Sequence, residues 1–115
     1  MHQSSLNGPA IAELHRFAGL ESKRLELLNA ERRPGSPGYA KWQARSDAAE
    51  DALLDQAMKV AAAPGASFAG IVNKLAWLER MMAVDSEGAE PGGWEAVYLA
   101  TIAGVIADLK KLSDA

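Results

Sequence analysis

The sequence predicts an all-α fold, a single four-helix bundle-like domain that begins with a long helical hairpin. Two observations support this prediction. Apolar residues recur at intervals of three and four in four segments that Pro and Gly separate, and no segment alternates apolar and polar residues as a strand would. The length of 115 residues suits one hydrophobic core. We therefore assign residues 1–115 to one domain and expect residues 1–8 to form a disordered tail.

The first two predicted helices form the hairpin. The first spans about residues 9–32, and Pro9 suits its first turn. Arg32 and Arg33 are expected in its last turn, where positive charge meets the negative end of the helix dipole. A Pro–Gly pair ends it, and a second, alanine-rich helix follows and ends before Pro64. The short link between two long helices favours an antiparallel arrangement.

The third and fourth predicted helices complete the bundle. Ser67 is a good N-cap for the third, and an acidic, Gly-rich connector over residues 84–93 leads to the fourth, which opens at Trp94. Apolar residues cover more than one face of the fourth helix, so we expect it to be central. Its small residues around Gly104 predict close approach of a neighbouring helix.

The apolar faces predict which residues form the core. The residues expected to be largely buried are Trp42, Leu53, Leu75, Leu78, Tyr98, Ile102 and Leu109. The polar residues of the third helix, Asn73, Lys74, Glu79 and Arg80, are expected mostly away from its apolar face. The surplus apolar surface of the fourth helix is compatible with self-association as a homodimer and equally with a central helix that the other three fully cover.

Composition excludes several functional classes. The chain has no cysteine, which removes disulfides, a thiol nucleophile and a cysteine zinc site, and agrees with a cytoplasmic location. The N-terminal residues lack the basic and apolar blocks of a secretory signal. The longest uncharged run, residues 96–107, is shorter than the roughly 20 residues that span a bilayer. We expect no membrane association.

The sequence contains no pattern typical of catalysis. The Glu-x-x-His pairs of a diiron site, the G-x-S-x-G elbow of hydrolases and the Gly-Lys-Ser or Gly-Lys-Thr of a phosphate loop are all absent. We therefore expect a protein that is not an enzyme and has no cofactor.

A basic segment, residues 31–45, is the candidate binding site. Residues 1–46 hold seven basic and four acidic side chains, although the whole chain carries a charge of -3. Basic residues interleaved with aromatic ones are typical of single-stranded nucleic-acid platforms, whereas Pro and Gly between helices are typical of a turn. The turn is favoured because Trp42 is in phase with the core face of the second helix. The candidate partner-binding residues are Arg32, Arg33, Tyr39, Lys41 and Arg45.

An acidic row lies on one side of the second predicted helix. Its members are Asp47, Glu50, Asp51 and Asp55. Such a row is compatible with a hard cation, but the favoured interpretation is a solvated face whose partners are Arg16, Lys23 or Arg24 of the first helix.

Three stretches carry a resemblance to other proteins. YAKWQARSDAAEDALL, then GIVNKLAWLE, and then a final helix that opens with Trp together cover residues 39–112. This pattern resembles short helical proteins of unknown function from proteobacterial genomes, many of them on prophages and integrated elements. The resemblance implies a cytoplasmic bacterial protein that acts by contact, and it implies no activity.

These observations lead to one functional hypothesis and two alternatives. The hypothesis is a small non-enzymatic protein-interaction or regulatory module that acts alone or as a homodimer. The small size and acidic net charge of the chain suit an inhibitor of a host protein. The first alternative is nucleic-acid binding through residues 31–45, which the acidic net charge disfavours. The second alternative is an enzyme.

Overall fold

The computed structural model describes residues 8–30, 32–86 and 94–114, and these contain four helices and no strand. The helices are α1 (Pro9–Asn29), α2 (Tyr39–Ala62), α3 (Phe68–Ser86) and α4 (Trp94–Asp114). The predicted all-α fold and its N-terminal hairpin are confirmed. Residues 1–7 of the expected tail and residues 87–93 of the expected connector lie outside the described residues. None of the four helices is both long and apolar enough to cross a membrane.

Two predicted helix ends are wrong. α1 ends at Asn29, so Arg32 and Arg33 lie beyond the helix instead of in its last turn. Pro34 disfavours the helical conformation at Arg33, the residue before it, so Arg33 is not available to a last helical turn. The predicted connector also begins too early, because α3 continues to Ser86.

The N-terminus of α3 agrees with the prediction. The backbone N–H of Gly70 donates a hydrogen bond to the Ser67 hydroxyl oxygen over 3.1 Å. The Ser67 hydroxyl thus provides an acceptor for one of the four backbone N–H groups at the helix start that have no intrahelical acceptor.

The helices form a ring in which each packs mainly against two neighbours. α1 packs against α2 and α3, and α4 packs against the same two helices. Trp42 Nε1 donates a hydrogen bond to the Leu27 carbonyl over 2.8 Å, so the Trp42 ring faces α1 as predicted. In the other half of the ring, the Tyr98 hydroxyl donates to the Met81 carbonyl over 3.3 Å.

Aromatic rings form the centre of the core. Phe17 of α1 is 1 % exposed and makes edge contacts with Trp77 of α3 and Trp94 of α4, with ring centroids 5.3 Å and 6.2 Å away. Leu53 of α2 and Tyr98 of α4 belong to the same cluster. Every helix therefore contributes to one core.

Part of the predicted core is wrong. Leu53, Leu78 and Tyr98 are buried and Trp42 is partly buried, but three residues are exposed: Leu75 by 43%, Ile102 by 41% and Leu109 by 42%. The expected central position of the fourth helix is also wrong. In a ring, two neighbours cover only part of each helix surface, and the remaining apolar residues of α3 and α4 point outward.

A polar junction joins the C-terminal end of α2 to α3 and α4. The Lys74 amine donates hydrogen bonds to the carbonyls of Ala61 and Ala63, over 3.0 Å and 2.8 Å. The backbone N–H of Gly65 donates to the Asp108 carboxylate over 2.8 Å. The same carboxylate lies 3.9 Å from the Lys74 amine. One residue from each of α2, α3 and α4, together with Ala63 and Gly65 of the link between α2 and α3, thus satisfies the polar groups of this junction.

The expected outward position of Lys74 is wrong, because the residue is only 1 % exposed. Its alkyl stem is apolar, and its amine reaches carbonyls that have no intrahelical donor at a helix end. Burial lowers the pKa of Lys74, and the nearby Asp108 carboxylate opposes that effect.

The predicted close approach at Gly104 is confirmed. A Cβ atom at this position would lie 3.0 Å from the Ala61 carbonyl oxygen and 3.3 Å from the Lys74 amine. A glycine in the middle of α4 therefore lets that helix approach the end of α2.

Candidate functional site

The predicted basic site is spread over a loop and the first turns of α2. Arg32 and Arg33 are exposed in the segment between α1 and α2, and Lys41 and Arg45 are exposed on α2. Lys41 and Arg45 are four residues apart and so lie on one side of that helix. Tyr39 is half-buried, and its hydroxyl donates a hydrogen bond to Gln43 over 2.8 Å.

The aromatic residues of this segment are held against the protein. Tyr39 and Trp42 contact each other with ring centroids 6.0 Å apart, and the Trp42 indole N–H is bonded to α1. A stacking platform for single-stranded nucleic acid needs exposed ring faces. Since Trp42 packs toward α1, Tyr39 is left as the aromatic residue at the loop edge.

The acidic row of α2 is a surface feature, and Glu50 of this row forms an ion pair with α1. Asp47, Asp51 and Asp55 are exposed. Glu50 lies 3.6 Å from Arg24, one of the three partners expected from the sequence. Among the described residues, no group of three or more acidic, His or Cys side chains is arranged to bind a metal ion.

Two polar contacts outside the junction connect helices and shift the pKa of a charged group. The Gln56 amide donates to the Glu13 carboxylate over 2.7 Å, and this bond, together with Arg16, holds the pKa of Glu13 below its ordinary value. Two hydrogen bonds to Glu21, both of 2.9 Å, raise the pKa of Arg80. The two groups lie at different places on the bundle. In each case the pKa shift is caused mainly by a hydrogen bond to another side chain of the protein.

An apolar face on α3 and α4 is the most distinctive surface of the described residues. We call it the α3–α4 face. Its members are exposed by 41% to 71%: Phe68, Val72, Leu75, Met82, Leu99, Ile102, Ile106 and Leu109. Along its α3 side runs a shallow, open groove of ≈ 660 Å³. Soluble chains rarely leave contiguous apolar patches of more than a few hundred Å² bare, and larger ones mark interaction sites.

The two halves of the α3–α4 face lie on the same side of the bundle. Nearly all their members follow a buried or nearly buried residue by one position, as Val72 follows Ile71 and Ile102 follows Thr101. One residue turns the helix by about 100°, so each stripe borders the buried face of its helix. The opposite flanks are occupied by other helices: Arg80 of α3 reaches α1, and Gly104 of α4 meets α2. The stripes therefore flank the contact between α3 and α4.

From the sequence, the candidate site was expected on the basic loop, and three of the eight members of this apolar face were expected in the core: Leu75, Ile102 and Leu109. The feature of the sequence that could have indicated an exposed apolar face is the wide apolar arc on the fourth helix, from Leu99 to Leu109. An arc of that width is typical both of a central helix and of a peripheral helix with an exposed binding surface. Only the positions of the neighbouring helices separate these two cases.

Comparisons of the chain with protein-family models, with curated proteins and with solved structures find no match. The resemblance to short helical proteins of proteobacterial genomes stays a prediction.

Proposed function

We propose that the protein is a non-enzymatic protein-interaction module that binds its partner through the α3–α4 face. The observation that supports this proposal is the set of eight exposed apolar side chains on two adjacent helices. Burying the remaining exposed part of each would contribute about 1 kcal/mol, since full burial of such a side chain is worth about 1.5–3 kcal/mol. A partner that covers most of the face gains enough to offset the cost of association.

A module of this kind acts by covering or recruiting a surface of its partner. Inhibition of a host protein is one such role, in which binding blocks a surface that the host protein needs. Nucleic-acid binding has less support, because Trp42 is hydrogen-bonded to α1 and the chain carries a net charge of -3. Basic residues on an acidic chain provide little of the phosphate attraction that such binding needs.

Site-specific photo-crosslinking in cells that produce the protein tests this function. A photoreactive phenylalanine analogue replaces Val72 on α3 or Leu99 on α4, which are 57% and 70% exposed. Leu25 of α1, which is 59% exposed, is the matched control. We expect protein adducts from both face positions and none, or a different set, from the control.

Mass spectrometry of the adducts then identifies the bound chain. Adducts of a defined mass at both face positions support the proposed function, whatever the partner. Absence of an adduct at Val72 and Leu99, under conditions in which a known complex crosslinks, contradicts it.

A further inference from the structure

We propose that the α3–α4 face binds a second copy of this chain, with the two α4 helices antiparallel about a twofold axis at the level of Gly104. This proposal rests on the proposed function and names its partner. It makes the active form of the protein a homodimer.

The spacing of the α4 stripe is self-complementary. Leu99 and Leu109 are each five residues from Gly104, and Ile102 and Ile106 are each two residues from it. A twofold axis at that level sets Leu99 opposite Leu109 of the second copy, and Ile102 opposite Ile106. The intervals of three, four and three residues are those of a coiled-coil seam, in which apolar side chains of facing helices interdigitate.

Charges at the ends of α4 favour the antiparallel arrangement. Glu95 lies in the first turn, four residues before Leu99, and Lys110 lies near the last turn, four residues after Ile106. Residues four apart share one side of a helix, so both charges extend the line of the stripe. Antiparallel pairing brings Glu95 close to Lys110 of the second copy at both ends. Parallel pairing would set like charges together, which is unfavourable.

The α3 stripe does not have this symmetry. Glu79 lies between Leu75 and Met82 on the same side of α3 and is exposed. Self-pairing of α3 would therefore put a carboxylate among apolar side chains, which is costly without a partner. The centre of the twofold contact consequently lies on α4, and the α3 residues border it. Such a contact is isologous, with the same patch on both copies, and closes as a dimer.

Engineered disulfides test the arrangement, because the chain has no cysteine of its own. Leu99→Cys and Leu109→Cys proteins are purified separately and oxidised alone or as a mixture. In the antiparallel dimer the 99 and 109 positions face each other, whereas two copies of position 99 are ten residues apart along the axis, about 15 Å. A disulfide needs Cα atoms roughly 4.4–6.8 Å apart. We expect cross-linked dimer in the mixture and little in either protein alone, with Leu25→Cys as the exposed control that does not cross-link.

Sedimentation equilibrium measures the association itself. Wild-type protein is expected to dimerise at micromolar concentration, and Ile106→Lys is expected to weaken dimerisation at least tenfold, because it places two unpaired charges against apolar residues. Glu95→Lys and Lys110→Glu each remove the Glu95–Lys110 pair at both ends of the contact, and we expect each lost pair to weaken dimerisation by roughly two- to fivefold. The double charge swap restores it, while circular dichroism checks that all variants stay folded.

The results of these experiments distinguish a failure of the dimer proposal from a failure of the proposed function. A wild-type monomer up to millimolar concentration, or equal cross-linking of the single cysteine variants and the mixture, overturns the dimer. Photo-crosslinking of Val72 and Leu99 to a different protein would then leave the proposed function standing with another partner. An absence of photo-adducts removes the proposed function.

Discussion

Replacement of Lys74 by methionine tests whether the buried amine stabilises the junction of three helices. Methionine is close in shape to the alkyl stem of lysine, but it ends one atom short of the amine and has no hydrogen-bond donor. The carbonyls of Ala61 and Ala63, now bonded over 3.0 Å and 2.8 Å, would lose their partner. Asp108 would keep its hydrogen bond from the Gly65 N–H and lose the cation 3.9 Å away.

The magnitude follows from two opposing effects. Leaving a buried acceptor without a donor costs about 1–3 kcal/mol, so two carbonyls give about 2–6 kcal/mol of lost stability. Against this, methionine removes the cost of burying an amine whose pKa is already lowered by burial. We expect a net decrease in the free energy of unfolding of about 2–4 kcal/mol, in line with removal of one member of a buried polar group.

Urea unfolding followed by tryptophan fluorescence measures this change, because Trp77 and Trp94 lie in the core. Lys23→Met is the matched control at an exposed site on α1 and should change stability by less than about 0.5 kcal/mol. Asp108→Asn keeps an oxygen for the Gly65 N–H and should cost less than Lys74→Met. If Lys74→Met and Lys23→Met have equal stability, the hydrogen bonds of the amine do not stabilise the fold and the reasoning is refuted.

Three further predictions follow. Phe17→Ala should lower the free energy of unfolding by about 3–5 kcal/mol in urea denaturation, whereas the exposed control Leu25→Ala should change it little; equal costs would contradict the aromatic core. The pKa of Lys74 is lower in the folded chain, so between that pKa and the ordinary value of about 10.4 the unfolded chain binds more protons than the folded one. The free energy of unfolding of the wild type, relative to that of Lys74→Met, should therefore rise as the pH increases through this interval. Urea unfolding at several alkaline pH values checks this, and a constant difference would contradict it. Labelled single-stranded DNA and RNA should show no tight, salt-sensitive binding at low salt; such binding, if lost in an Arg32→Ala, Arg33→Ala double variant, would restore the nucleic-acid alternative.

The candidate site was only partly predictable. The sequence indicated a surplus of apolar surface on the fourth helix, and that surplus is exposed in the structure, with Leu99 at 70%. It placed Leu75, Ile102 and Leu109 in the core, although they lie on the α3–α4 face. The periodicity of a helix shows that these residues share a side, but it does not show whether another helix lies there.

The sequence by itself determined the four helices, their order and the hairpin, because these depend on local interactions. Apolar periodicity sets where a helix forms, and Pro34, Pro64 and the Ser67 cap mark where one ends or begins. Only the tertiary structure decided the burial of Lys74 and the exposure of Ile102. Both follow from which neighbours each helix has in the ring, and a turn of about 100° between successive residues is enough to move a side chain from the core to the surface.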